Sequence, residues 1–148
     1  MAAINDNSKF TFNKIAISNA NDESITFDLK TKDLSLNEVG GKADVKAIYV
    51  TYKSTTNGSS NPQVGVKYFK NKSTSATNLT NGDLADTSGG YSTVKLVPNP
   101  KTGGRSLNTI QLRFYGIGTN DLAFKDFELH DISIIYKEKS LKWEIKSY

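Results

Sequence analysis

The sequence has no cysteine, one histidine, one tryptophan and only three prolines in 148 residues. Without thiols there are no disulfide staples, thiolate zinc sites or cysteine nucleophiles. A single imidazole, His130, leaves no second histidine for a His-pair metal motif. Arginine is nearly absent too, since only Arg105 and Arg113 stand among the 19 basic side chains. A protein that reads DNA sequence favours clustered arginines for bidentate contacts, so the net charge of +4 does not predict sequence-specific nucleic-acid binding. No apolar run approaches the roughly 20 residues of a membrane-spanning helix, so no membrane insertion is expected. The opening MAAINDNSKF lacks the basic and apolar regions of a secretory signal.

What the sequence does contain is short alternating apolar segments separated by Asn, Asp, Gly, Ser and Thr. That period-2 pattern, repeated along the chain with almost no helical periodicity, predicts an all-β fold. Residues 10–18 form the first expected strand, with Phe10 and Phe12 on one face and Ile15 and Ile17 on the other, a change of parity that predicts a bulge. Residues 24–29 follow, with Ile25, Phe27 and Leu29 inward. The polar connection 30–42 is expected to carry one helical turn near 34–38. Residues 45–53 (VKAIYVTYK), β-prone on both faces, are expected to be a central strand. The turn-rich 55–62 (TTNGSSNP) then predicts a hairpin returning through 63–70.

Residues 71–90 read as a long polar loop anchored by Leu79 and Leu84, and such loops are usually functional or mobile. Further strands are expected over 92–97, 109–115, 124–136 and 141–145. The set 109–115 is the cleanest, because Ile110, Leu112 and Phe114 alternate with Gln111, Arg113 and Tyr115. Eight or nine antiparallel strands in one chain of this size predict a two-sheet β-sandwich of jelly-roll type. Residues 1–8 are expected to be a flexible arm and 9–148 one domain.

Candidate chemistry is sparse. His130 beside Asp131 suggests a catalytic pair, but neighbours on a regular strand point to opposite faces, so this carboxylate is not expected to orient that imidazole. Asp121, Asp126, Glu128 and Asp131 are weak candidates for calcium, which takes 6 to 8 oxygen ligands; they match no EF-hand spacing. Gly103-Gly104-Arg105-Ser106 leads into a strand instead of a helix, so it is read as a flexible hairpin loop and not a phosphate cradle. No cofactor is implied. The sequons at Asn57, Asn71 and Asn78 fit a chain rich in Asn, Ser and Thr. Aromatic residues are numerous enough that some are expected at the surface, where rings stack on sugars and anchor protein contacts. The interface or ligand candidates are Tyr91, Arg105, Arg113, Tyr115 and Trp143. Lys137, Lys139, Lys142 and Lys146 give the C-terminal region a basic surface, which suits acidic neighbours or non-specific nucleic-acid contact and, as the plain alternative, a sheet edge guarded against aggregation.

Three stretches, VKAIYVTYK, RSLNTIQLRFYG and FELHDISIIYKEKSLK, together resemble the C-terminal β-domain of tail nozzle or tail tube proteins of short-tailed bacteriophages. The region from Val45 to Lys142 carries the resemblance, about two-thirds of the chain. It implies a non-enzymatic structural or assembly protein of the virion, assembled in the host cytoplasm and working through homo-oligomeric contacts and contacts with other virion proteins. Members of that family are much longer, so the likeness covers a terminal portion of them. The alternative function is a carbohydrate-binding or adhesin-type β-sandwich that takes a glycan as its partner.

Overall fold

The computed structural model describes residues 8–18, 28–38, 40–55, 64–99, 101, 103–117 and 126–139, with residues 8–18 and 126 described through their strand pairing. Nine strand segments appear: β1 (Ser8–Ser18), β2 (Asp28–Lys30), β3 (Leu34–Ser35), β4 (Ala43–Thr55), β5 (Val64–Lys70), β6 (Thr77–Leu84), β7 (Ser92–Leu96), β8 (Thr109–Gly116) and β9 (Asp126–Glu138). There is no helix among the described residues.

Their pairing is nested. β5 pairs with β6, β4 with β7, β2 and β3 with β8, and β1 with β9, all antiparallel. The chain is therefore one long hairpin whose tip is the β5–β6 turn, rolled up so that successive rungs fall in alternate sheets. Two cross-pairings, β4 with β9 and β5 with β8, complete the sheet orders β1-β9-β4-β7 and β2-β8-β5-β6. This is the jelly roll expected from the sequence. β2 and β3 occupy one strand position, interrupted where the Thr31 hydroxyl takes the place of a ladder carbonyl and accepts from Leu112 N–H at 3.0 Å.

Inward-facing residues of both sheets meet in one core that includes Ile48, Val50, Val66, Tyr68, Leu112, Phe114, Leu129 and Ile132. The alternation that predicted β8 is realised in full, with Ile110, Leu112 and Phe114 buried and Gln111, Arg113 and Tyr115 half-exposed on the other face.

Four expectations require correction. β4 and β5 do not pair with each other, because each lies in a different sheet and finds its partners there. Residues 34–38 carry no helical turn; Leu34 is an inward residue of β3, paired with Ile110. The polar stretch 71–90 contains β6, an edge strand whose solvent-facing positions are polar while Leu79 and Leu84 reach the core. Their five-residue spacing hides the period because β6 makes an excursion between Asn78 and Asp83, with Asn81 at a φ of 63°. Gly103 and Gly104 do not form a flexible hairpin loop; they are buried in the β7–β8 crossing, with Val45 N–H donating to the Gly104 carbonyl at 2.7 Å. The expected strand over 141–145 and most of 24–29 lie outside the described residues.

Candidate functional site

The outward surfaces of the two sheets carry the chemistry. On the β2-β8-β5-β6 sheet, backbone register sets it out in rungs. Asp28, Tyr115, Gly65 and Asp83 are paired across the four strands. The next rung places Lys30, Arg113 and Lys67 side by side on β2, β8 and β5. Neighbouring strands are about 4.8 Å apart, so three cations stand in a row roughly 10 Å long.

Each cation is held differently. Arg113 makes a two-pronged contact with Asp28, Nε to Oδ1 at 3.0 Å and Nη2 to Oδ2 at 2.8 Å. Lys30 stands 5.2 Å above the Phe69 ring, and Lys67 and Arg113 each lie 5.1 Å from the centre of the Tyr115 ring. The Tyr115 ring lies across Gly65, where a β-carbon would come within 2.6 Å of Tyr115 Cζ. Glycine is required here because only a residue without a side chain lets the ring rest on the strand.

The hydrogen bond from Arg113 is the main reason that the Asp28 carboxyl titrates below its ordinary value, with a smaller attraction from Lys30. A carboxylate held in this way stabilises the fold above the unfolded-state pKa, and that contribution disappears as pH falls through the lowered folded-state value. The two side chains are 41% and 31% exposed, so solvent screening keeps the effect small. Asp28→Asn is expected to cost less than about 1 kcal/mol at neutral pH in low salt. The difference from the parent should vanish below the aspartate range; thermal unfolding at neutral and strongly acid pH measures both.

Beside this face, the excursion of β6 leaves a groove of about 560 Å³ against β5, lined by Lys67, Asn78, Asn81, Gly82, Asp83 and Tyr115. The Asn81 amide is occupied by the Lys95 carbonyl at 3.2 Å. Among the described residues no hydrogen bond or ion pair engages the side-chain amide of Asn78, the carboxylate of Asp83 or the Tyr115 hydroxyl. Another hollow, of about 610 Å³, lies among loop residues including Asn37, Asn71 and Asn108. Its amides serve the loops: Asn37 Nδ2 donates to the Lys42 and Lys139 carbonyls, and Asn71 Oδ1 accepts from Asn108 N–H.

On the outer surface of the other sheet, Tyr91 is the large aromatic left exposed among the described residues, at 52%. Its hydroxyl donates to Glu128 Oε2 at 2.7 Å, and Lys53 Nζ lies 3.4 Å from the same oxygen and 5.3 Å over the ring. His130 meets the ring edge-on at 5.2 Å. A bulge in β9 explains why His130 is here. Leu129 pairs with Tyr52 and Asp131 with Thr51, leaving His130 as an extra residue, so His130 and Asp131 both lie outward between buried Leu129 and Ile132. The expectation that they point to opposite faces is corrected accordingly.

The sequence candidates thus divide. Arg113 and Tyr115 come together on one sheet, and Tyr91 joins Glu128 on the other. Arg105 is exposed in the β7–β8 crossing, and no contact among the described residues ties it to either group. Trp143 and Asp121 lie outside the described residues, and Asp126 is described only through its pairing with Ser18 and Thr55. Of the calcium candidates, Glu128 faces an ammonium and a phenol, and no group of three or more potential metal ligands occurs among the described residues. In the basic C-terminal stretch Lys137 is exposed, whereas Lys139 is 3.5 Å from Asp44 and donates to Ser106 Oγ. Lys142 and Lys146 lie outside the described residues.

Sequence reading missed Lys30, Gly65 and Lys67 as site residues. Their signal is register across strands far apart in sequence, which period-2 alternation alone does not supply. No protein-family model matches the chain, and no curated protein is significantly similar to it.

Proposed function

We propose that the chain is a non-enzymatic structural module of a bacteriophage virion, assembled in the host cytoplasm and acting through contacts with copies of itself and with other virion proteins. The observation that carries the reading is the placement of two ordered polar-aromatic groups, Tyr91–Lys53–Glu128–His130 and Asp28–Arg113–Tyr115–Lys67, on the outer surfaces of opposite sheets. Stacked sheets turn their outer surfaces in opposite directions. Two different patches facing apart are what a head-to-tail contact needs, and such contacts close into rings when the rotation permits. The resemblance to tail nozzle domains points to the same class of assembly.

Light scattering on the full chain across the micromolar range tests this. A closed oligomer is expected, with Tyr91→Ala or Arg113→Ala weakening it at least tenfold and leaving the melting temperature nearly unchanged. A monomer throughout the range overturns the reading, and a large loss of stability in Arg113→Ala assigns that residue to folding instead.

A second reading, a carbohydrate-binding or adhesin module, is favoured by a different observation. The Tyr115 ring packs against Gly65 and lines a groove with unengaged side-chain amide, carboxylate and phenol groups. Rings held against a strand with polar groups beside them suit the apolar face and hydroxyl edge of a sugar.

A further inference from the structure

We infer that the groove and cation row of the β2-β8-β5-β6 sheet form a binding site for carboxylated oligosaccharides, the ring of Tyr115 stacking on one sugar while Lys67 and Lys30 receive carboxylates. The inference rests on the carbohydrate reading and gives it a ligand class. Its basis is an arrangement that folding does not reward. Like charges directly opposite on paired strands are destabilising, yet Lys30, Arg113 and Lys67 share one rung. Among the described residues Asp28 is the carboxylate that answers them, and both of its oxygens are engaged by Arg113.

The remaining two cations rest on aromatic rings, Lys30 on Phe69 and Lys67 on Tyr115. Ring contacts hold an ammonium in position without neutralising it. An anionic ligand lying across the strands would relieve the repulsion along the row, with carboxylates repeating on much the same length scale as the strands.

The groove favours a sugar over a bare polyanion. Beside Lys67 it offers Asn78, Asp83 and the Tyr115 hydroxyl, donors and acceptors suited to hydroxyl groups. Asp83, an exposed carboxylate on the rung of Gly65 and Tyr115, accepts readily from sugar hydroxyls. The glycine at position 65 lets the Tyr115 ring pack against the strand beside these groups.

The test is calorimetric titration of the full chain with tetramers of galacturonate, mannuronate, guluronate and glucuronate, each beside its carboxyl-reduced neutral counterpart, and with a thymidine oligonucleotide. At least one uronate is expected to bind, with affinity falling at least tenfold on carboxyl reduction and in Lys67→Ala, and with binding lost in Tyr115→Ala. Melting temperatures of both variants should stay close to the parent's. Gly65→Val, which displaces the Tyr115 ring, provides an independent probe of the platform. Equal binding of neutral and carboxylated tetramers overturns the charge assignment and leaves the carbohydrate reading standing. If no tetramer binds, both fall. Oligonucleotide binding that depends on Lys67 without uronate binding also overturns the inference and assigns the row to phosphates.

Discussion

Phe114→Ala is expected to destabilise the domain by about 3–5 kcal/mol. Phe114 is fully buried on β8, paired with Leu29 of β2 on one side and Val66 of β5 on the other. All three face inward, so truncation opens a void where the sheets meet. A domain of this kind has a total stability of about 5–15 kcal/mol, so the loss is a large part of the whole. For a chain of this length it corresponds to a fall in melting temperature of roughly 6–20 °C. Denaturant unfolding followed by far-ultraviolet circular dichroism measures it, and a change below about 1 kcal/mol would show that Phe114 does not fill the inter-sheet core.

The same strand shows how far the sequence could be read. Ile110, Leu112 and Phe114 alternate cleanly because β8 is central in its sheet and one of its faces meets solvent, which is the condition under which period 2 is visible. β6 has the same inward requirement, met by Leu79 and Leu84, but its excursion removes the even spacing, so it looks like a loop. β4 reads as a strand whose partners are invisible: β-prone residues on both faces fix its centrality, whereas the choice between β5 and β9 is made by the rolling of the hairpin and not by any local residue. The candidate site follows the same division. Arg113 and Tyr115 are legible as outward residues of a strong strand. Lys30, Lys67 and Gly65 acquire meaning only when register places them beside that pair, and His130 only when a bulge turns it outward.

The second large effect is expected at Gly103 and depends on Tyr68. Tyr68 is fully buried on β5, and its hydroxyl finds no hydrogen-bond partner among the described protein groups. Burial raises its pKa above the ordinary phenol value, so the group stays neutral throughout the physiological range. The hydroxyl points at Gly103. A β-carbon there would overlap it and would also stand 2.9 Å from the backbone nitrogen of Asn99. The loop cannot easily retreat, because Gly103 N–H is bonded to the Asn99 carbonyl at 2.8 Å and the Gly104 carbonyl is bonded to Val45. Gly103→Ala is therefore expected to cost about 1–3 kcal/mol by overpacking. Tyr68→Phe removes a hydroxyl that bonds to none of the described residues, so it should be close to neutral or stabilising. In the Tyr68→Phe background the alanine has room where the hydroxyl was, and the penalty at Gly103 should shrink by about 1 kcal/mol, within the range found for side chains in contact. A double-mutant cycle in urea measures this coupling. Additivity within about 0.5 kcal/mol would mean that Asn99, and not Tyr68, sets the requirement for glycine at this crossing.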